Sequence, residues 1–127
     1  MTPEEKELVI KDLSGRLPYG VRCSYPYGVD TLQSIDLEDM SFTFDCPIDD
    51  NYYEIDGIRP YLRPMSSMTK EEHEEYHKTF RVEAYGHGYV YVESVHSFDW
   101  LNAHHFDYRG LIPAGLANAA PEGMYNS

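Results

Sequence analysis

Apolar residues recur at helical spacing at the start of the chain, where Val9, Leu13 and Leu17 form a narrow stripe with Leu8 and Ile10 beside it. Thr2 and Glu5 have the spacing of a capping box, and Pro3 suits the first helical position. Glu4, Glu5 and Glu7 come early and Lys11 and Arg16 late, which complements the helix dipole. The pattern predicts one amphipathic helix, ended by Leu17-Pro18-Tyr19-Gly20.

From Gly20 to Pro64 the period shortens to two. Val21–Tyr25, Thr31–Ile35, Ser41–Cys46, Tyr53–Ile55 and Ile58–Pro64 read as short strands; the clearest is Ser41–Cys46, where Phe42, Phe44 and Cys46 share a face. Pro26-Tyr27-Gly28 and Asp49-Asp50-Asn51 read as turns, and Pro60 and Pro64 keep the last piece at an edge or in a tight turn rather than in a central strand. Thr69 and Glu72 then make a second capping box ahead of His73, Tyr76, His77 and Phe80, which predicts a helix over Lys70–Val82. Gly86-His87-Gly88 breaks the chain before a strand over Tyr89–Val95. Ser97 is expected to cap a short helix reaching Phe106, and the tail to wrap as turns with a helical piece near Leu116–Ala120. The expected fold class is α+β in one domain spanning residues 1–127: a small antiparallel β-meander over residues 20–64, SH3-like or Tudor-like in length and order, flanked by an N-terminal helix and a C-terminal helix–strand–helix segment.

Composition changes the picture in two ways. Leu, Ile, Val and Phe supply only 27 of 127 residues, so the core is thin, and 12 tyrosines are expected to complete it and to furnish a contact surface. The formal net charge is −12, and between Arg22 and Arg59 no cation offsets nine acids that include Asp49 and Asp50. Such a surface repels nucleic-acid phosphates and anionic lipid and attracts a basic protein. Tyr25, Tyr27, Tyr52, Tyr53 and Tyr61 fall in the same half, so these rings with Asp49 and Asp50 are the candidate partner-binding residues. No apolar run is long enough to cross a bilayer and the first residues lack a secretory pattern, so a cytoplasmic location with Cys23 and Cys46 as free thiols is expected.

Candidate chemistry is sparse. His73-Glu74-Glu75-Tyr76-His77 fits H-E-x-x-H, in which two imidazoles a helical turn apart hold zinc and the Glu serves as base, and this makes a metal-dependent hydrolase an alternative reading. The surrounding charge argues for a solvated helix instead, so His73 and His77 are only weak metal candidates. His96, His104, His105 and Asp107 form a second His-rich set, but adjacent imidazoles on a helix diverge. The loop after Asp45 misses calcium-loop spacing, and no nucleophile elbow, phosphate loop or dinucleotide fingerprint occurs. No catalytic residue and no cofactor is implied.

Three strings, Pro60–Thr69, Phe98–Ile112 and Ala120–Tyr125, make the chain similar to a group of short proteins of unassigned function from gut anaerobic bacteria, their prophages and other mobile elements. The resemblance implies a small accessory protein and transfers no catalytic residue. The favoured reading is a non-enzymatic interaction module for a basic partner; a structural accessory or virion component is the remaining alternative.

Overall fold

The computed structural model describes residues 1–46 and 51–125. Helix α1 (Pro3–Arg16) begins as predicted: the Glu5 N–H donates to the Thr2 hydroxyl at 3.1 Å, and the Thr2 N–H donates to the Glu5 carboxylate at 2.8 Å. Val9, Asp12, Leu13 and Arg16 are its buried face. Strands β1 (Arg22–Tyr25), β2 (Gly28–Asp36), β3 (Ser41–Phe44), β4 (Tyr53–Glu54) and β5 (Arg59–Leu62) follow, then helix α2 (Lys70–His77), strands β6 (Arg81–Tyr85) and β7 (Gly88–Val92), helix α3 (Val95–Ala103) and strand β8 (Asn118–Ala119).

The main sheet runs β4-β3-β2-β1-β5-β8. Strands β1 to β4 form the expected antiparallel meander, whereas β5 returns to pair with β1, and β8 joins β5 in parallel. Consecutive β4 and β5 are therefore separated by three strands, and the meander does not extend to β5. Alternation fixes the inward side: Cys23 and Tyr25 in β1, Phe42 and Phe44 in β3, and Pro60 and Leu62 in β5 are buried. In β2 the register shifts between Leu32 and Ser34, so Leu32 opposes Phe44 and Ile35 opposes Phe42. That bulge lets Leu32 and Ile35, an odd number of residues apart, both meet the core. A second cluster of Met68, Tyr76, Leu101 and Phe106 joins α2 to α3. The close approach of α1 to α3 rests on Gly15, where an added Cβ would lie 3.1 Å from the Asn102 side-chain nitrogen.

Local expectations also need correction. The strand holding Pro60, expected at an edge or in a tight turn, lies between β1 and β8; the missing Pro60 N–H is accommodated because β8 pairs with Tyr61 and Leu62 and not with Pro60. The helix predicted over Lys70–Val82 ends at His77, and Arg81–Tyr85 is a strand, because the Thr79 hydroxyl donates back to the Tyr76 carbonyl and turns the chain out of the helix. The single strand expected between the two C-terminal helices is thus a hairpin. Its second arm ends at Val92, and the cap of α3 is Ser94 rather than Ser97; Ser97 is the reciprocal member of that capping box. The helical piece expected near Leu116–Ala120 is instead β8, held by Ala120 N–H donating to Leu62 O at 2.8 Å. No helix among the described residues is long and apolar enough to cross a membrane.

Candidate functional site

The tyrosines singled out by the sequence divide between two environments. Tyr25 is 6% exposed and packs face to face on Phe44 at 4.0 Å, with Tyr53 edge-on at 4.9 Å and Tyr27 at 6.2 Å. Its hydroxyl donates to Asp30, and burial with that carboxylate pushes the phenol well above its ordinary range. Tyr25 is a core ring, not the wall of an open cage. Tyr27 and Tyr52 are exposed at 50% and 70%. Tyr61 is half-buried on β5 and, by alternation with buried Pro60 and Leu62, lies on the sheet face opposite to Tyr25. Asp49 and Asp50 lie outside the described residues. The structure brings Tyr25, Tyr27 and Tyr53 together and leaves Tyr61 apart from them.

The histidines likewise separate. His73 and His77 are both exposed on α2, and the His77 ring rests against Phe80 at 5.0 Å. Among the described residues no three His, Cys, Asp or Glu side chains are grouped to hold a metal ion. His96 is exposed, His104 stacks on Trp100 at 4.1 Å, and His105 is buried. Asp107 turns elsewhere, accepting the Leu111 and Ile112 N–H groups at 2.8 and 2.9 Å.

Charged residues that do meet in the interior are structural. Arg16 and Asp12 are fully buried one helical turn apart, bonded at 2.8 and 3.0 Å; Arg16 also donates to Phe106 O, and Arg109 adds a second cation to Asp12 at 2.9 Å. Arg63 makes two 2.8 Å bonds to Glu72 and lies over the Phe106 ring at 4.1 Å. The Arg63 fork, ahead of the Thr69 backbone, holds the Glu72 carboxyl down at about 2. Further bonds tie together the segments Pro60–Thr69, Phe98–Ile112 and Ala120–Tyr125: Arg63 N–H donates to His105 O, and the Tyr125 hydroxyl donates to Tyr61 O.

The feature least accounted for by the core is the β6–β7 ribbon. Among the described residues it pairs with no other strand, and of its ten residues only Val92 is even partly buried. The base is clamped: the Ser94 hydroxyl donates to Thr79 O at 2.6 Å, the Ser97 hydroxyl meets Thr79 Oγ1 at 2.8 Å as donor, since the Thr79 proton is used on Tyr76 O, and the Tyr76 hydroxyl donates to Glu93. Beyond that base the register pairs Val82 with Tyr91 and Ala84 with Tyr89, so one face carries four residues and no charge. Val82, Tyr89 and Tyr91 are 53%, 76% and 70% exposed. The acids Glu71, Glu74 and Glu75 are exposed on the adjoining α2. Sequence reading found the Tyr89–Val92 arm but folded Arg81 and Val82 into a helix, which hid the ribbon; the Gly86-His87-Gly88 turn between two β-branched and aromatic runs was its signal. No protein family, curated protein or solved structure matches the chain.

Proposed function

We propose that this protein is a non-enzymatic interaction module that engages a basic protein surface through the β6–β7 ribbon. The observation that carries this reading is the uncharged, solvent-facing Val82, Ala84, Tyr89 and Tyr91 face of a ribbon that contributes almost nothing to the core. A lone two-stranded hairpin is marginal in water, and strand propensity explains β-branched and aromatic residues without requiring that a whole face be free of charge. Contiguous exposed apolar and aromatic area of this kind marks protein contacts. The net charge of −12 and the carboxylates of α2 supply the complementarity for a cationic partner, and tyrosine faces attract guanidinium and ammonium groups. The accessory role implied by the sequence resemblance suits such a module.

The test is a binding series against immobilised peptides of equal length and hydropathy that are Arg-rich, Lys-rich or Glu-rich. The cationic peptides should bind, more weakly as salt rises, and Tyr89→Ser with Tyr91→Ser should abolish the signal while the circular dichroism spectrum is retained. Equal binding of anionic and cationic peptides, or binding indifferent to the double substitution, would remove the ribbon from this role.

A further inference from the structure

The two edges of the β6–β7 ribbon are not alike. Only Gly86 and His87 separate its arms, and Gly86 stands at φ 59°, as the first central position of a two-residue hairpin turn requires. Such a turn makes its flanking residues, Tyr85 and Gly88, a hydrogen-bonded pair, and bonded and unbonded pairs then alternate along the ribbon. Glu83 with Val90 and Arg81 with Val92 spend their main-chain groups across the hairpin. Ala84 with Tyr89 and Val82 with Tyr91 turn theirs outward. On β7, therefore, the outward N–H and C=O groups and the tyrosine rings belong to the same residues.

Sheet edges are ordinarily closed by charge, proline, a bulge or a covering element. Strand β6 carries charge, with Arg81 and Glu83 joined at 2.7 Å along it. Strand β7 has none of these devices. It reads Gly88-Tyr89-Val90-Tyr91-Val92, and its register with β6 runs without a break. Among the described residues no other strand pairs with it, and no bond reaches the outer main-chain groups of Tyr89 and Tyr91. An edge left open in this way accepts an added strand.

Charge and the two ribbon faces decide what that strand is. A second copy would bring together two chains of net charge −12, whereas a cationic segment is drawn in. In antiparallel pairing the residues opposite Tyr89 and Tyr91 share their face and lie within reach of the rings. A guanidinium finds phenol faces there and no competing cation. The intervening residues fall on the reverse face beside Val90 and Val92, where Arg81 opposes Val92. A cation is repelled on that side and an apolar side chain is favoured.

We propose, resting on the ribbon as the contact surface, that the partner joins it as a strand: an extended segment alternating Arg with apolar residues pairs antiparallel along the free edge of β7, its Arg residues opposite Tyr89 and Tyr91. The main chain supplies affinity and the alternation supplies register.

The test varies the added strand and leaves the protein intact. A blocked peptide of four Arg-Val repeats is compared with two N-methylated forms, one methylated at every Arg amide and one at every Val amide, by NMR titration of the ¹⁵N-labelled full chain. In the proposed register the Arg amides face β7 and the Val amides face solvent. Methylation at Arg should weaken binding by about tenfold or more, roughly the loss of one net hydrogen bond or above. Methylation at Val should leave binding nearly unchanged. The bound peptide should slow exchange of the Tyr89 and Tyr91 amides and not of the Val82 and Ala84 amides. Equal binding by the two methylated forms, still lost on Tyr89→Ser with Tyr91→Ser, would overturn strand addition and leave the ribbon a cation-binding face. A reversed order of the two forms would place Val opposite the tyrosines and overturn the register. Failure of all three peptides while an unpatterned Arg-rich peptide binds would overturn the strand alone; failure of that peptide too would remove the proposed function with it. Protection of Tyr89 and Tyr91 without peptide, rising with protein concentration, would give the edge to a second copy and overturn the proposal.

Discussion

Arg16 and Asp12 sit one turn apart on α1, both wholly removed from solvent and joined by two hydrogen bonds of 2.8 and 3.0 Å. A helix face that should be apolar instead places an ion pair between Val9 and Leu13 on the sheet side and the C-terminal segment beyond. The pair is also a crosslink, since Arg16 donates to Phe106 O at 2.6 Å and Arg109 reaches Asp12 from ninety-seven residues away in sequence at 2.9 Å.

Asp12→Ala would leave two guanidiniums without their shared carboxylate, one of them fully buried. The expected loss is about 3–5 kcal/mol, read as a fall in the urea midpoint. Replacing both members, Asp12→Leu with Arg16→Met, should recover most of that loss, because a matched apolar pair removes the uncompensated charge. A single substitution that costs less than about 1 kcal/mol would show that water reaches the pair.

Two groups set the acid response. His105 has a folded pKa of about 4, against 6.5 ordinarily, so the unfolded chain binds the extra proton and stability falls as pH drops from 6.5 to 4. Glu72 is held at about 2, against 4.5, so its contribution is present above 4.5 and disappears as pH falls toward 2. The expected profile is a two-stage decline, the upper stage worth up to about 3 kcal/mol. The groups facing His105 are Arg16, Arg63, His104 and Tyr125, and none supplies a carboxylate that would favour the imidazolium. In His105→Asn, which tolerates the left-handed backbone, the upper stage should vanish and the lower one remain. Urea midpoints measured across pH 7 to 3 separate the two.

Much of this fold was legible because local signals and burial agreed. Thr2 with Glu5 and Thr69 with Glu72 start their helices as their spacing requires, and Phe42 and Phe44 alternate inward as written. Long-range pairing was not legible: nothing local in Arg59–Leu62 shows that it joins β1 rather than β4, or that Asn118–Ala119 lies beside it. The aromatic cluster was half visible. Counting tyrosines located Tyr25 and Tyr27, but whether a ring points inward depends on strand alternation, which put Tyr25 in the core and Tyr61 on the other face. Arg22 and His105 could not have been paired from sequence, since what joins them is Tyr125, which bonds the Arg22 backbone and stacks on the His105 ring.

The ribbon offers the sharpest separation of stability from recognition. Residues 81–92 are outside both buried clusters, with the hairpin's own pairs Val82–Tyr91 and Ala84–Tyr89 as its internal support. Cross-strand pairs of this kind contribute about 0.2–1 kcal/mol each, so Tyr89→Ser with Tyr91→Ser should move the global urea midpoint by no more than about 1 kcal/mol equivalent. The same reasoning makes the ribbon open locally without the rest of the protein. Amide exchange in β6 and β7 should be much faster than in β1, whose Cys23 and Tyr25 are buried and which is paired on both sides. At the clamped base, Ser94→Ala should raise ribbon exchange further by removing the 2.6 Å bond to Thr79 O, while β1 protection stays unchanged. Ribbon amides as protected as those of β1 would mean that these strands are covered in solution, and a concentration dependence of that protection would identify the cover as a second copy of the chain.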